Sequence, residues 1–441
     1  VTGDDIIAWF GRVADDALAT RPAFARHWLM MGYEGMAAKT QVAGDPRFLP
    51  SGKDGYALFM SRVVRAMAHP EKSVITSIFT PNEIFHALGA YPATAEAIAS
   101  FASGAQAEHG IIACAEGAGV PETFCSYHRT LMGLATTGVL EKPRMLAVTS
   151  VACDANNLTF KTLSRLWDVP LAYIDIPYEI TRDGVVYVAE ELREMGKMAE
   201  ECFSKKLDEE RLTALCRASA RTRDAILSGL AKRQGRYLHN TMTLDMMEML
   251  DFHLLLGTEE AERLAKRMNE DFGAAERCQG LNLVWGHVSP YFLAGIGNEI
   301  DCSQRAQIVA SDMMFDYLDP VGDEAKLPGA KPNGLFFDAS TPYEFMAERV
   351  VRNCFNGPAE RRIKTLIRLA DATDADGVVF FCHWGCKQTA GAAQLVRSAV
   401  EEAGYPVLVL DGDAVDRANC MEGQMTTRFD AFLELLEARR G

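Results

Sequence analysis

The run Asp376-Gly-Val-Val-Phe-Phe-Cys-His-Trp-Gly-Cys386-Lys-Gln-Thr-Ala-Gly391 joins a strand-like apolar stretch to a cysteine-bearing turn, then to a helical pattern near Thr389. Two further cysteines have a similar setting. Cys153 closes the apolar run Met145-Leu-Ala-Val-Thr-Ser-Val-Ala152, and Cys125 opens the helical pattern Phe124-Cys-Ser-Tyr-His-Arg-Thr-Leu-Met-Gly133. Chemistry in open α/β sheets sits at the carboxyl ends of strands. Three thiolates delivered from element ends remote in sequence have the ligand chemistry to share one iron–sulfur cluster. The competing reading is three reduced thiols packed as small apolar side chains, since no Cys-x-x-Cys pair of the zinc type occurs.

The other cysteines carry weaker signals. The chain has 11, scattered without the even spacing of a secreted disulfide framework. Cys202 and Cys216 fall in helical patterns, Cys278 borders a strand, and Cys354 follows the helical stretch 343–353, so a core thiol is the expectation for each. Cys382 precedes Cys386 by four residues and is read either as a strand thiol facing away from the turn or as an additional ligand. Cys114 lies near Cys125 in sequence and stays open in the same way.

These residues need elements to position them, and 441 residues suffice for two or three domains. Residues 4–39 hold two helical patterns, residues 50–55 read as a loop, and residues 56–68 as another helix. A core strand is expected over 72–79, with a helix from Pro81 to a stop at Gly89. Helix from Phe124, strand over 144–151, helix over 156–167 and strand over 170–176 form a βαβ succession and require a parallel sheet. A nearly continuous helical pattern with charged faces follows to about residue 272. Strands over 280–285 and 307–311, helices over 341–356 and 359–370, and strands over 378–381 and 406–410 around a helix over 389–402 repeat the alternation. The expected fold is α/β: two doubly wound parallel-sheet domains joined by a helical region, with a helical N-terminal lead-in. Its divisions fall at 1–70, 71–190, 191–275 and 276–441.

A formal charge of −15 argues against nucleic acid and anionic membrane as partners, because phosphate binding needs a clustered positive surface. No apolar run approaches the ~20 residues of a spanning helix, and the start Val1-Thr-Gly-Asp-Asp5 lacks a basic leader signature, so the expected location is the cytoplasm.

Four blocks resemble the 2-hydroxyacyl-CoA dehydratase and benzoyl-CoA reductase family, most of all the α-type subunits of 2-hydroxyglutaryl-CoA dehydratases. They are Pro81-Asn-Glu-Ile-Phe-His-Ala-Leu-Gly89; Ala115-Glu116 through Cys125-Ser-Tyr-His-Arg129; Cys153 with Val169-Pro-Leu-Ala-Tyr-Ile-Asp-Ile-Pro-Tyr178; and Cys386-Lys-Gln-Thr-Ala-Gly391 with Leu410-Asp-Gly-Asp-Ala-Val-Asp416. The resemblance runs over roughly residues 72–440 and implies that Cys125, Cys153 and Cys386 hold one [4Fe-4S] cluster with its fourth iron open. It also implies a chemistry. One electron on the thioester carbonyl of an (R)-2-hydroxyacyl-CoA gives a ketyl radical that expels the hydroxyl; the resulting radical then loses its β-proton, and the electron returns. Ser77 and Glu96 fall where related subunits place polar groups near the substrate, Ser77 as a hydrogen-bond partner of the thioester oxygen or of cluster-bound water, Glu96 as a general base or to position the hydroxyl. Their plain readings are a serine satisfying backbone at a strand end and a solvated glutamate. His383 and Trp384 are expected to shape the pocket, with donation to a backbone acceptor as the plain role of His383.

The implied partners are an acyl-CoA substrate, a β-type subunit of similar fold and a separate ATP-dependent iron–sulfur activator, because this chain carries no Gly-x-x-x-x-Gly-Lys-Ser/Thr loop. Extra thiols such as Cys382 keep open an ATP-dependent reductase of the same superfamily, either benzoyl-CoA reductase-like or built on a double-cubane cluster. A non-enzymatic electron-transfer subunit is the third class.

Overall fold

The computed structural model describes residues 3–290 and 292–441. Val1 and Thr2, with which the N-terminal lead-in begins, lie outside the described residues. The lead-in is helical: Gly3–Ala17, Pro22–Ala43 and Pro50–Ala68. The expected loop at 50–55 is instead the start of the third helix. Pro50 occupies its first turn, where a missing N–H costs nothing. Its glycines serve close packing rather than a turn: a Cβ on Gly52 would stand 2.8 Å from the Leu244 side chain of the helix Met242–Leu255.

The first sheet contains β1 (Ser73–Thr76), β2 (Tyr91–Thr94), β3 (Met145–Thr149) and β4 (Leu171–Ile174), all parallel in the order β2-β1-β3-β4. Strand β2 was not anticipated, because Pro92 lies within it. It is an edge strand, where a residue without an N–H is tolerated. The second sheet contains β5 (Leu281–Gly286), β6 (Ala306–Ser311), β7 (Gly377–His383) and β8 (Val407–Gly412), again parallel, in the order β6-β5-β7-β8. Both sheets therefore share one permutation: the second strand of each lies outside the first, and the third on the first's other side. The strand order reverses between β1 and β3, and between β5 and β7. The crevice at such a reversal, outside the carboxyl ends, is where open α/β sheets bind ligands.

Between the sheets in sequence stand four helices, Arg182–Phe203, Glu209–Arg233, Met242–Leu255 and Glu259–Ala274. Asp208 and Thr258 cap two of them by accepting backbone N–H groups. Strand alternation divides the core of the second sheet. Leu283, Trp285, Val379 and Phe381 join the large core shared with the first sheet, while Val284, Val378 and Phe380 pack on the opposite face against the helices Ala359–Thr373 and Lys387–Glu402. Among the described residues no helix is long and apolar enough to cross a membrane.

Candidate functional site

Each of the three boundary cysteines is the N-cap of a helix. Cys125 precedes Ser126–Thr137, Cys153 precedes Asp154–Trp167, and Cys386 precedes Lys387–Glu402. Two of these caps follow corresponding strands: Cys153 comes after β3 and Cys386 after β7, each the strand beside its sheet's reversal. Cys125 enters from the connection between β2 and β3.

Local backbone geometry explains how each thiol is presented. Ala152 takes a left-handed φ of 62°, and the Cys153 N–H donates to the Val151 carbonyl at 2.8 Å, a tight reversal directly off the strand. Gly385 at φ 76° does the same before Cys386, whose N–H donates to the His383 carbonyl at 3.0 Å. The Cys125 carbonyl accepts the His128 and Arg129 N–H groups at 3.0 and 2.9 Å, which starts its helix.

The three are brought together by contact between the two halves. A Cβ on Gly385 would lie 2.7 Å from the Cys125 nitrogen and 2.8 Å from its Cα, so the Cys386 turn rests on the Cys125 backbone. Burial pushes the Cys125 thiol well above its usual range, and the charges of Cys153 and Cys386 push it further. Cys153 is raised in the same way, first by burial and then by the charge of Cys386.

Every one of these sulfurs has polar neighbours. Cys125 Sγ lies 3.4 Å from His383 Nε2, and Cys153 Sγ lies 3.7 Å from His128 Nε2. Cys153 Sγ also accepts the Asn156 N–H at 3.3 Å, and Cys386 Sγ is 3.0 Å from Thr389 Oγ1. Ser126 Oγ donates to Asp413 Oδ1 at 2.6 Å, and Arg129 bridges Glu116 at 2.6 Å and Asp416 at 3.2 Å. The Ser126–Asp413 and Arg129–Asp416 pairs fasten the Cys125 helix start to the loop after β8. The plain reading of His383 has it donating to backbone; instead its Nδ1 accepts the Ala414 N–H at 3.1 Å. Trp384 stands half-exposed at the rim, its indole N–H directed to the Glu122 carbonyl at 3.5 Å.

Ser77 and Glu96 have different surroundings, and only Glu96 interacts with one of the three cysteines. Ser77 follows β1 and is buried; its hydroxyl accepts the Thr149 N–H at 3.2 Å and pairs with Thr80 Oγ1 at 2.8 Å. That is the backbone-satisfying role. Glu96 lies in the first turn of the helix Ala95–Gly104 and is not solvated: its Oε2 is buried with no hydrogen-bond partner. Desolvation lifts its carboxyl to about 7, against hydrogen bonds from the Asn156 side chain and the Ile78 backbone. Its charge is felt by Cys153.

Cys382 belongs to β7, where it alternates with Phe381 and His383 and packs with the opposite core. Burial and then the Asp411 carboxylate beside it raise its thiol to about 12. Cys114 is raised by burial and by Asp15 of the N-terminal helix. Cys216 is buried in its helix and donates to the Pro342 carbonyl at 3.7 Å.

No three His, Cys, Asp or Glu side chains among the described residues converge tightly enough for a single metal ion. A cubane makes a different demand, because its own iron and sulfide atoms bridge thiolates that do not meet at a point. The donor set fits such a group. Its three thiols are unpaired by disulfide and charge-coupled, and they cap helices whose N-termini each carry about half a positive charge toward an anionic group. Orphaned polar atoms lie in the same neighbourhood: Asn156 Oδ1 and His128 Nδ1 are buried without partners. His128 was missed as a site residue, although Cys125-x-x-His128 is one helical turn and puts both side chains on one face.

A cavity of about 1050 Å³ opens elsewhere, between the N-terminal helices and Met242–Leu255. None of the three cysteines lines it, but Ser100, on the helix that carries Glu96, does.

Comparison with known proteins finds two matches over most of the chain. A family model described as 2-hydroxyglutaryl-CoA dehydratase, D-component, matches residues 77–436. A curated relative, the (R)-phenyllactyl-CoA dehydratase alpha subunit of Clostridium sporogenes, is 23% identical over 394 residues, which cover 82% of this chain and 88% of the relative.

Proposed function

The chain belongs to the 2-hydroxyglutaryl-CoA dehydratase D-component family, and from that premise we propose that it is the iron–sulfur subunit of a radical 2-hydroxyacyl-CoA dehydratase. The observation that carries the proposal is the meeting of Cys125, Cys153 and Cys386, three helix caps supplied by both sheets, with Gly385 seated on the Cys125 backbone. These cysteines would hold a [4Fe-4S] cluster, which supplies one-electron chemistry and an iron not ligated by cysteine. The reaction eliminates water from an (R)-2-hydroxyacyl-CoA to give the 2-enoyl-CoA, by way of a substrate ketyl radical.

The chain's own residues supply placement and proton handling. Glu96 holds a carboxyl poised near neutrality between the Ile78 N–H and Asn156, which suits a group that takes a proton from the substrate. Ser77 accepts the Thr149 N–H, and when Thr80 gives its proton to Ser77, the Ser77 hydroxyl is free to donate to a thioester oxygen. Burial of Cys125 keeps water from its sulfur, while Cys153 and Cys386 are only partly covered. ATP hydrolysis is assigned to a separate iron–sulfur activator, and a second subunit of similar fold, β-type, is the expected partner. The curated relative is itself described as an alpha subunit.

Dehydration returns its electron, whereas a reductase sends electrons out with product. After brief activation, product should form over many turnovers without matching reductant. Consumption of reductant in proportion to product would replace this reading with the ATP-dependent reductase.

A further inference from the structure

His383 is a buried histidine whose proton position is fixed by its neighbours. The Ala414 N–H donates to Nδ1 at 3.1 Å, so Nδ1 presents its lone pair and the ring proton resides on Nε2. Nε2 lies 3.4 Å from Cys125 Sγ and 3.4 Å from Ser126 Oγ. Ser126 already donates its own proton to Asp413 at 2.6 Å. For N–H···S a separation of 3.4 Å is a close contact, whereas for N–H···O it lies beyond the normal 2.7–3.2 Å, so the sulfur is the better acceptor.

The support beneath this histidine is stiff. Asp413 Oδ1 accepts the N–H groups of Val415 and Asp416 at 2.9 and 3.0 Å, and Cys420 Sγ accepts the Asp413 N–H at 3.1 Å. The turn that aims Ala414 at His383 is thereby held from both sides. On the opposite wall His128, one helical turn from Cys125, places Nε2 3.7 Å from Cys153 Sγ while its Nδ1 is buried without a partner. Two of the three sulfurs thus each have a buried imidazole beside them.

We propose that His383 and His128 donate N–H···S hydrogen bonds to Cys125 and Cys153 and so set the reduction potential of the group these cysteines hold. The inference rests on the cluster reading given above. A donor to a ligating sulfur draws electron density from it and favours the reduced, more negative state, so these bonds raise the potential. Both histidines act through the sulfurs and are positioning residues.

The test is a mediated redox titration of the anaerobically purified full chain, alone or with its partner, read by electron paramagnetic resonance, with iron measured in parallel. His383→Phe and His128→Phe should retain iron and shift the midpoint to more negative values, while His383→Gln, which can restore a donor, should return most of the shift. An unchanged midpoint in both Phe variants, or equal shifts for Phe and Gln at position 383, overturns the proposal. If a Phe variant does not fold, the unsubstituted protein labelled with ¹⁵N-histidine decides: hyperfine coupling of histidine nitrogen to the reduced cluster supports the bonds, and its absence rejects them. An unsubstituted protein without iron fails the cluster reading itself, and this inference falls with it.

Discussion

Gly385 rests on the backbone of Cys125: a side-chain carbon there would stand 2.7 Å from the Cys125 nitrogen, and its φ of 76° belongs to the left-handed region. This contact joins the turn after β7 to a helix start of the first sheet. Gly385→Ala would meet both the steric and the conformational cost, about 1–3 kcal/mol. We expect a lower denaturation midpoint and lower bound iron. Unchanged iron in a folded Gly385→Ala protein would show that the contact does not position Cys386.

Arg129 is buried between Glu116, Asp416 and, at 3.8 Å, Asp413. Removing a buried cation leaves its carboxylates uncompensated, so Arg129→Met should destabilise the protein by about 3–5 kcal/mol in urea unfolding. A midpoint equal to that of the unsubstituted protein would mean these carboxylates are satisfied without it.

Glu248, buried on the helix Met242–Leu255, has its carboxyl raised to about 8, by desolvation first and then by the charge of Asp245. The folded state thus holds the proton more tightly than the unfolded chain does. Stability should fall as pH rises from the ordinary glutamate range near 4.5 to about 8. Glu248→Gln should raise the melting temperature at pH 8 and lose that advantage by pH 4.5. An equal effect at both pH values would show that Glu248 keeps an ordinary pKa.

Much of this arrangement was legible in the sequence. Cys153 and Cys386 stand out by following apolar runs, because a strand buried on both faces writes a continuous apolar stretch that stops where the chain turns, whereas Cys125 is marked only by the helix it opens. The third-helix start was misread because Gly52 and Gly55 resemble turn residues when no partner is visible, and their close packing on Leu244 and Glu248 exists only in three dimensions. Strand β2 was hidden by Pro92, whose tolerance depends on lying at an edge. The histidine–sulfur contacts were out of reach for the same kind of reason: His383 and Cys125 are 258 residues apart, and only the crossing of the two halves makes them neighbours.

Cys382 separates the single cluster from a larger one. It lies on the β7 face opposite His383, beside Asp411. Cys382→Ala should keep its iron and most of its activity; loss of several irons per chain would favour the double-cubane alternative.

The central claim is that Cys125, Cys153 and Cys386 together hold one cluster. Iron and sulfide analysis of anaerobically purified protein tests it most directly. About four irons per chain are expected in the unsubstituted protein and in Cys202→Ser, with loss in Cys125→Ser, Cys153→Ser and Cys386→Ser. Full iron content in the folded Cys386→Ser protein would contradict the account.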